Sequence, residues 1–237
     1  MAGVSGPADA AHAQGVLTAR PVNASARAGG RTERTGLSPL GFERERDGLL
    51  LVPVRAGDPS SPRPLLVLLH GAGGAAADIM PMAREQAERH GVLALAPDSR
   101  GRTWDVIGRG YGPDVSFLDR ALETVFRDHA VDPQRIAVAG FSDGGSYALS
   151  LGLANGSLFR HVLAFSPGFA APSRAESAPR IFISHGRADP VLPIERCGRR
   201  LAATLLKGGY DVDYREFASG HVVPGDLVEA AFARFLG

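Results

Sequence analysis

Lysine is nearly absent from this chain. Of 26 basic residues only Lys207 is a lysine, a bias that fits the abundance of Ala and Gly and reflects base composition rather than function. Cysteine is as scarce. Cys197 stands alone, which excludes an internal disulfide framework and any multi-cysteine metal site, and its plain reading is a small core residue. No run approaches the ~18 apolar residues of a membrane-spanning helix. No charge of one sign dominates either: Lys+Arg is 26 against Asp+Glu 25, a net charge of +1. That balance is too even for a nucleic-acid binder that works by neutralising phosphates. The first residues lack a basic stretch followed by an apolar core, so no secretory signal is expected and cytoplasmic residence is the default. Under that default the Asn-x-Ser sites at Asn23 and Asn155 are incidental.

What remains is a chain of 237 residues, 44% hydrophobic, too apolar for a disordered protein and long enough for one α/β domain with a large core. Residues 1–36 are rich in Ala, Gly, Ser and Arg without apolar periodicity, and are expected to be a flexible N-terminal extension. Residues 37–237 are expected to form the folded domain. Leu40–Arg46 and Leu49–Val54 predict an antiparallel pair turning at Arg46, Asp47 and Gly48, and a Pro/Ser-rich turn follows at 57–64.

Apolar runs then alternate with helical periodicity. Strands are predicted at Leu65–Leu69, Val92–Ala96, Arg135–Gly140, His161–Phe165, Arg180–Ser184 and Val212–Phe217. Helices are predicted at Ala76–His90, Asp114–Asp128, Ser142–Ala154, Ile194–Leu206 and Pro224–Leu236. This alternation implies a mostly parallel sheet with helices on both faces. Reactive groups in such sheets gather beyond the carboxyl ends of the strands.

One such end reads Gly140-Phe141-Ser142-Asp143-Gly144, a G-x-S-x-G pattern between a strand and a helix. A serine nucleophile must stand on a tight turn there, and the two glycines let neighbouring backbone approach. The alternative is an ordinary helix N-cap serine. A serine hydroxyl needs a base at neutral pH. Of seven histidines, only His221 lies in the loop after the last strand. His12 is in the tail, His90 and His129 close helices, and His161 opens a strand. The base in turn needs an acid. Asp189 follows the strand Arg180–Ser184 in a loop stiffened by Pro190 and Pro193. Asp211 and Asp213 compete for the role but flank the wrong end of the last strand. Ser142, Asp189, His221 is the Ser…Asp…His order expected of an α/β-hydrolase. Acyl transfer also needs oxyanion donors. The N–H of Asp143 is one candidate. The other comes from His70-Gly71-Ala72-Gly73-Gly74, where Ala72 is favoured and Gly71 and Gly73 remain open, with His70 as a buttress of the loop.

Together HGAGG, APDSRGRTWD, GFSDGG, HGRADPVLP and SGHVVP resemble the phospholipase/carboxylesterase branch of the α/β-hydrolases, near the acyl-protein thioesterase-like and polyhydroxybutyrate depolymerase-like esterases. The resemblance covers roughly residues 37–237. It implies an α/β-hydrolase fold with no large lid, and hydrolysis of carboxylic esters or thioesters through an acyl-serine, with no cofactor and no metal. It puts nucleophile, acid and base on Ser142, Asp189 and His221. Many members carry Gln after the serine; here Asp143 sets a negative charge near the developing oxyanion.

About fourteen residues, Ser166–Pro179, separate the fourth and fifth strands of the parallel run, too few for a helical lid. The loop 98–113 is the expected pocket wall, with Trp104 and Tyr111 lining the substrate beside Gly71 and Gly73. Arg100, Arg102 and Arg109 are either solvated or attract an anionic leaving group. The leading expectation is therefore a carboxylesterase acting on small-molecule esters of small or medium acyl chains. A thioesterase or peptidase with the same three residues is the alternative. A non-catalytic ligand-binding protein on the same scaffold is a third, which a fluorophosphonate probe would separate. The sequence is silent on oligomeric state.

Overall fold

The computed structural model describes residues 6–21, 34–54, 61–108 and 110–237. Eight strands form one sheet: β1 (Gly36–Pro39), β2 (Gly48–Val52), β3 (Arg63–Leu69), β4 (Leu93–Pro97), β5 (Val131–Phe141), β6 (His161–Phe165), β7 (Arg180–Gly186) and β8 (Val212–Phe217). Their order across the sheet is β1-β2-β4-β3-β5-β6-β7-β8. The pairs β1/β2 and β2/β4 are antiparallel, and the other neighbours are parallel. The helices are α1 (Pro7–His12), α2 (Ala76–His90), α3 (Pro113–Asp128), α4 (Asp143–Ala154), α5 (Gly198–Lys207) and α6 (Gly225–Leu236). No helix interrupts the stretch between β6 and β7, as expected for a fold without a large lid.

The run Leu65–Leu69 reads as continuous apolar sequence because both faces of β3 are covered. Leu65, Val67 and Leu69 face one core with residues of α3 and α4. Leu66 and Leu68 face a second core with residues of α2 and α6. Each fully buried Leu contributes about 1.5–3 kcal/mol by leaving water, so the centre of the sheet is the rigid platform from which the site is built.

Two expectations change. The first strand lies earlier than predicted: β1 ends at Pro39 and pairs with Leu49 of β2, so residues 40–47 are a loop. The cause is Asp47, whose carboxylate accepts the N–H groups of Gly41, Phe42 and Glu43 at 2.7, 2.9 and 3.2 Å and curls the chain instead of extending it. The turn predicted at 57–64 lies partly outside the described residues.

The N-terminal stretch is not a free tail over residues 6–21. Leu17 is fully buried in the core beside α3 and α4. Asp119 of α3 accepts the N–H groups of Thr18 and Ala19, the Thr18 hydroxyl and a ring N–H of His12. Asn155 accepts the Leu17 N–H and donates to the Gly15 carbonyl, both at 2.8 Å. These bonds hold a segment whose only large apolar side chains are Val16 and Leu17; of the His12 ring, Nε2 is met and Nδ1 is buried without a partner among the described residues. Asn155 is thereby fully buried, while Asn23 lies outside the described residues.

Candidate active site

Ser142 sits between β5 and α4 with φ +57° and ψ −119°. A non-glycine residue at positive φ is strained, and surroundings must hold it there. The flanking glycines show how. A Cβ on Gly144 would lie 2.0 Å from the Leu69 carbonyl oxygen, and one on Gly140 would lie 2.2 Å from that of Gly144. The turn is therefore clamped between β3 and α4 at a spacing that only glycine permits. The Ser142 N–H donates to the Phe165 carbonyl at 2.9 Å, which fixes the turn to β6 as well.

The loops after β7 and β8 press together in the same way. A Cβ on Gly186 would stand 2.2 Å from the Gly220 carbonyl oxygen, and the Ala188 N–H donates to Ser219 at 3.0 Å. This contact brings Asp189 beside His221. The Nδ1 of His221 lies 2.6 Å from Oδ2 of Asp189, and its Nε2 lies 2.9 Å from Oγ of Ser142. Oδ1 of Asp189 accepts the N–H groups of Val191 and Leu192, both at 2.9 Å. Burial alone would raise the Asp189 carboxyl, but the Leu192 N–H, the His221 bond and the Val191 N–H outweigh it and hold the carboxyl below the usual aspartate range. An ionised carboxylate only accepts, so Nδ1–H donates to it and Nε2 is left to accept from the serine. The ring of Phe141 packs on that of His221 with centroids 4.7 Å apart. The competitors are elsewhere: Asp211 pairs with Arg234 and Arg180, and Asp213 with Arg215, all on the exterior.

The glycine loop after β3 is braced at several points. His70 is buried, and its Nε2 accepts the Ser99 N–H at 3.0 Å. Its Nδ1–H therefore donates to the Gly71 carbonyl, 2.7 Å away. Burial keeps the imidazole's pKa below its ordinary value. The Gly71 carbonyl also accepts the Gly74 N–H at 3.1 Å. With that oxygen held by two donors, the N–H of Ala72 points to the opposite edge of the same planar peptide. Gly73 is excluded as an oxyanion donor, because its N–H is committed to the Arg102 carbonyl at 2.6 Å. Gly71 lies 3.6 Å, measured from an added Cβ, from the Ser142 Cβ. Asp143 opens α4, whose first N–H groups have no intrahelical partner. Its carboxylate accepts the Thr103 hydroxyl at 2.6 Å.

Trp104 does not line a pocket. It is 1% exposed, stacks on Tyr147 at 5.0 Å, lies 4.7 Å from the His70 ring, and donates its indole N–H to the His70 carbonyl at 2.8 Å. Tyr111 gives its hydroxyl to the Ala171 carbonyl at 2.7 Å and lays its ring on Gly15. The loop folds inward because Asp105 and Asp114 cap it reciprocally: Asp105 accepts the Asp114 N–H at 3.0 Å, and Asp114 accepts the Asp105 N–H at 2.7 Å. Arg100 lies over the Phe117 ring and donates to the Asp98 and Arg46 carbonyls. Arg102 is exposed and Arg109 lies outside the described residues. Sequence reasoning also missed Arg46, which reaches the Gly74 carbonyl at 3.2 Å and the Ser99 hydroxyl at 2.8 Å. Nothing in a turn arginine signals that reach.

A groove of about 410 Å³ lies between α2 and α6, lined by Phe141, Ile79, Met82 and Val228 together with the polar Asp78 and Glu85. Among the described residues no three His, Cys, Asp or Glu side chains are gathered as a metal ion would need, and no helix is long and apolar enough to cross a membrane.

A mostly parallel eight-stranded sheet with a serine on a strained strand-to-helix turn defines an α/β-hydrolase fold. The solved structures agree. Esterase PE8 superposes with a TM-score of 0.65 at 22% identity, covering 85% of this chain and 99% of its own. The propionate-bound thermophilic esterase Est2 of Thermogutta terrifontis gives 0.66 at 19%, covering 85% and 93%. The phospholipase/carboxylesterase family matches residues 116–236, and the chain belongs to that family. Acyl-protein thioesterase 1 of Gibberella zeae is 36% identical over 120 residues, 45% of this chain and 50% of that protein. The matched stretches span half or less of the first curated relatives.

Proposed function

We propose that this protein is a serine hydrolase that cleaves carboxylic esters of small or medium acyl chains through an acyl-serine. The observation that carries the reading is the continuous relay from Asp189 through His221 to Ser142, with spacings of 2.6 and 2.9 Å. Nε2 of His221 takes the Ser142 proton while Oγ bonds to the ester carbonyl carbon. The carbonyl π electrons move to oxygen, and the oxyanion is met by the N–H groups of Asp143 and Ala72. The imidazolium, stabilised by ionised Asp189, then gives its proton to the departing alkoxide as the C–O bond breaks. Water repeats the sequence on the acyl-enzyme and releases the acid. The groove lined by Phe141, of mixed apolar and polar character, offers space for the substrate's acyl or alcohol arm, in place of the pocket wall expected from Trp104 and Tyr111.

Likeness to an acyl-protein thioesterase favours a second reading, hydrolysis of thioesters by the same groups. A series of p-nitrophenyl esters of increasing acyl length, with the matching thioesters and amides, tests both. Ester turnover that peaks at short or medium chains supports the first reading, and a kcat/KM preference for thioesters supports the second. No turnover of any member would overturn both.

A further inference from the structure

Asp189 has a second histidine neighbour that the proposed mechanism does not use. His185, the penultimate residue of β7, is fully buried. Its Nε2 lies 2.8 Å from the Leu192 carbonyl oxygen and 3.4 Å from Oδ2 of Asp189. A carbonyl only accepts, so Nε2 carries the ring proton and donates to Leu192. The other ring nitrogen, Nδ1, is buried without a hydrogen-bond partner among the described residues, and a Cβ on Gly198 would stand 2.7 Å from it. The ring is thus held edge-on between Leu192 and Gly198. A buried polar atom without a partner is a standing cost that an apolar ring of similar shape would avoid. What the imidazole adds is the donor on Nε2. Leu192 is the residue whose N–H grips Oδ1 of Asp189 at 2.9 Å, so its two backbone groups join the histidine to the carboxylate.

We propose that His185 is a positioning residue for the acid: by anchoring Leu192 it holds the 189–193 turn so that Oδ2 of Asp189 meets His221. The proposal rests on the reading of Ser142, Asp189 and His221 as the reacting triad. A misplacement of a catalytic group by about 1 Å can cost on the order of 100-fold in rate.

The test is steady-state hydrolysis of p-nitrophenyl butyrate by the full chain, with melting curves to confirm folding. His185→Phe is expected to lower kcat about 10- to 100-fold with KM nearly unchanged. His185→Gln, whose amide nitrogen falls near the position of Nε2, is expected to retain most of kcat, and His185→Asn, which is too short, to lose it. In an Asp189→Asn background, His185→Phe is expected to cause no further loss, since a group that acts through Asp189 has nothing left to position. Folded His185→Phe with wild-type kcat overturns the assignment, and so does a loss that simply adds to that of Asp189→Asn. If the Phe variant does not fold, the Gln/Asn contrast decides: equal kcat in the two overturns the assignment. Asp189→Asn with undiminished kcat overturns the triad reading itself, and this proposal with it. An impaired Asp189→Asn beside an unimpaired His185→Phe overturns this proposal alone.

Discussion

The indole N–H of Trp104 donates to the carbonyl oxygen of His70 at 2.8 Å, tying the loop after β4 to the loop after β3. The bond joins a core aromatic to the strand end that leads into Gly71 and Ala72. It makes the interior stack of His70, Trp104 and Tyr147 a brace for the proposed oxyanion donors.

Trp104→Phe keeps one aromatic ring in the stack, removes this donor and leaves a cavity where the larger indole was buried. The expected cost is about 2–4 kcal/mol of stability, because the His70 carbonyl loses a buried partner and the core loses packed volume. Turnover of a short ester should fall with little change in KM, as for a weakened transition-state interaction. Denaturant unfolding together with kcat and KM checks both. A drop in stability at unchanged kcat would confine Trp104 to packing.

Gly144→Ala places a methyl 2.0 Å from the Leu69 carbonyl oxygen. Both sides of that clash are backbone, so β3 and α4 must part or the turn must open. We expect at least about 3 kcal/mol of destabilisation, at the upper end of overpacking costs, and loss of esterase activity even in any folded fraction. Thermal melting and residual turnover report the two effects.

How far the sequence discloses this molecule follows from where the information sits. The elbow is legible because its conformation demands Gly140 and Gly144 around Ser142, and because a strand and a helix with clear periods flank it. Asp189 and His221 are legible through position, each in the loop after a strand. The docked N-terminal segment is not. Its apolar residues are mostly alanines, with only Val16 and Leu17 larger, and it is fastened by Asp119 and Asn155, about 100 and 140 residues away along the chain. Trp104 misleads for a related reason. An aromatic in a Gly-rich loop looks exposed until Asp105 and Asp114 are seen to fold the loop inward. The early end of β1 depends on a carboxylate, Asp47, bonding backbone six residues before it.

The N-terminal segment has its own pH signature. Burial alone would raise the Asp119 carboxyl, but bonds from Thr18, His12 and Ala19 outweigh it and lower its pKa. A depressed carboxyl contributes stability above the ordinary aspartate pKa of about 3.9, and that stability is lost as the pH falls through the lowered value. Residues 6–21 should therefore gain hydrogen-exchange and protease susceptibility below about pH 4. Asp119→Ala should give the same exposure at neutral pH, with about 2–3 kcal/mol lost because buried N–H donors are stranded. Protection of 6–21 that is independent of pH would refute this account.

The groove beside Phe141 makes a separate prediction. Met82→Trp, which enlarges a side chain of its lining, should reduce kcat/KM for a medium-chain ester several-fold more than for an acetate ester. Equal effects on the two would remove the groove from the substrate's path.

The most direct measurement is covalent labelling by a fluorophosphonate, with the modified peptide mapped by mass spectrometry. The relay from Asp189 through His221 predicts a single adduct on Ser142, absent in Ser142→Ala and at least about 10³-fold slower in His221→Ala. Labelling at another residue, or a rate untouched by the loss of His221, would contradict it.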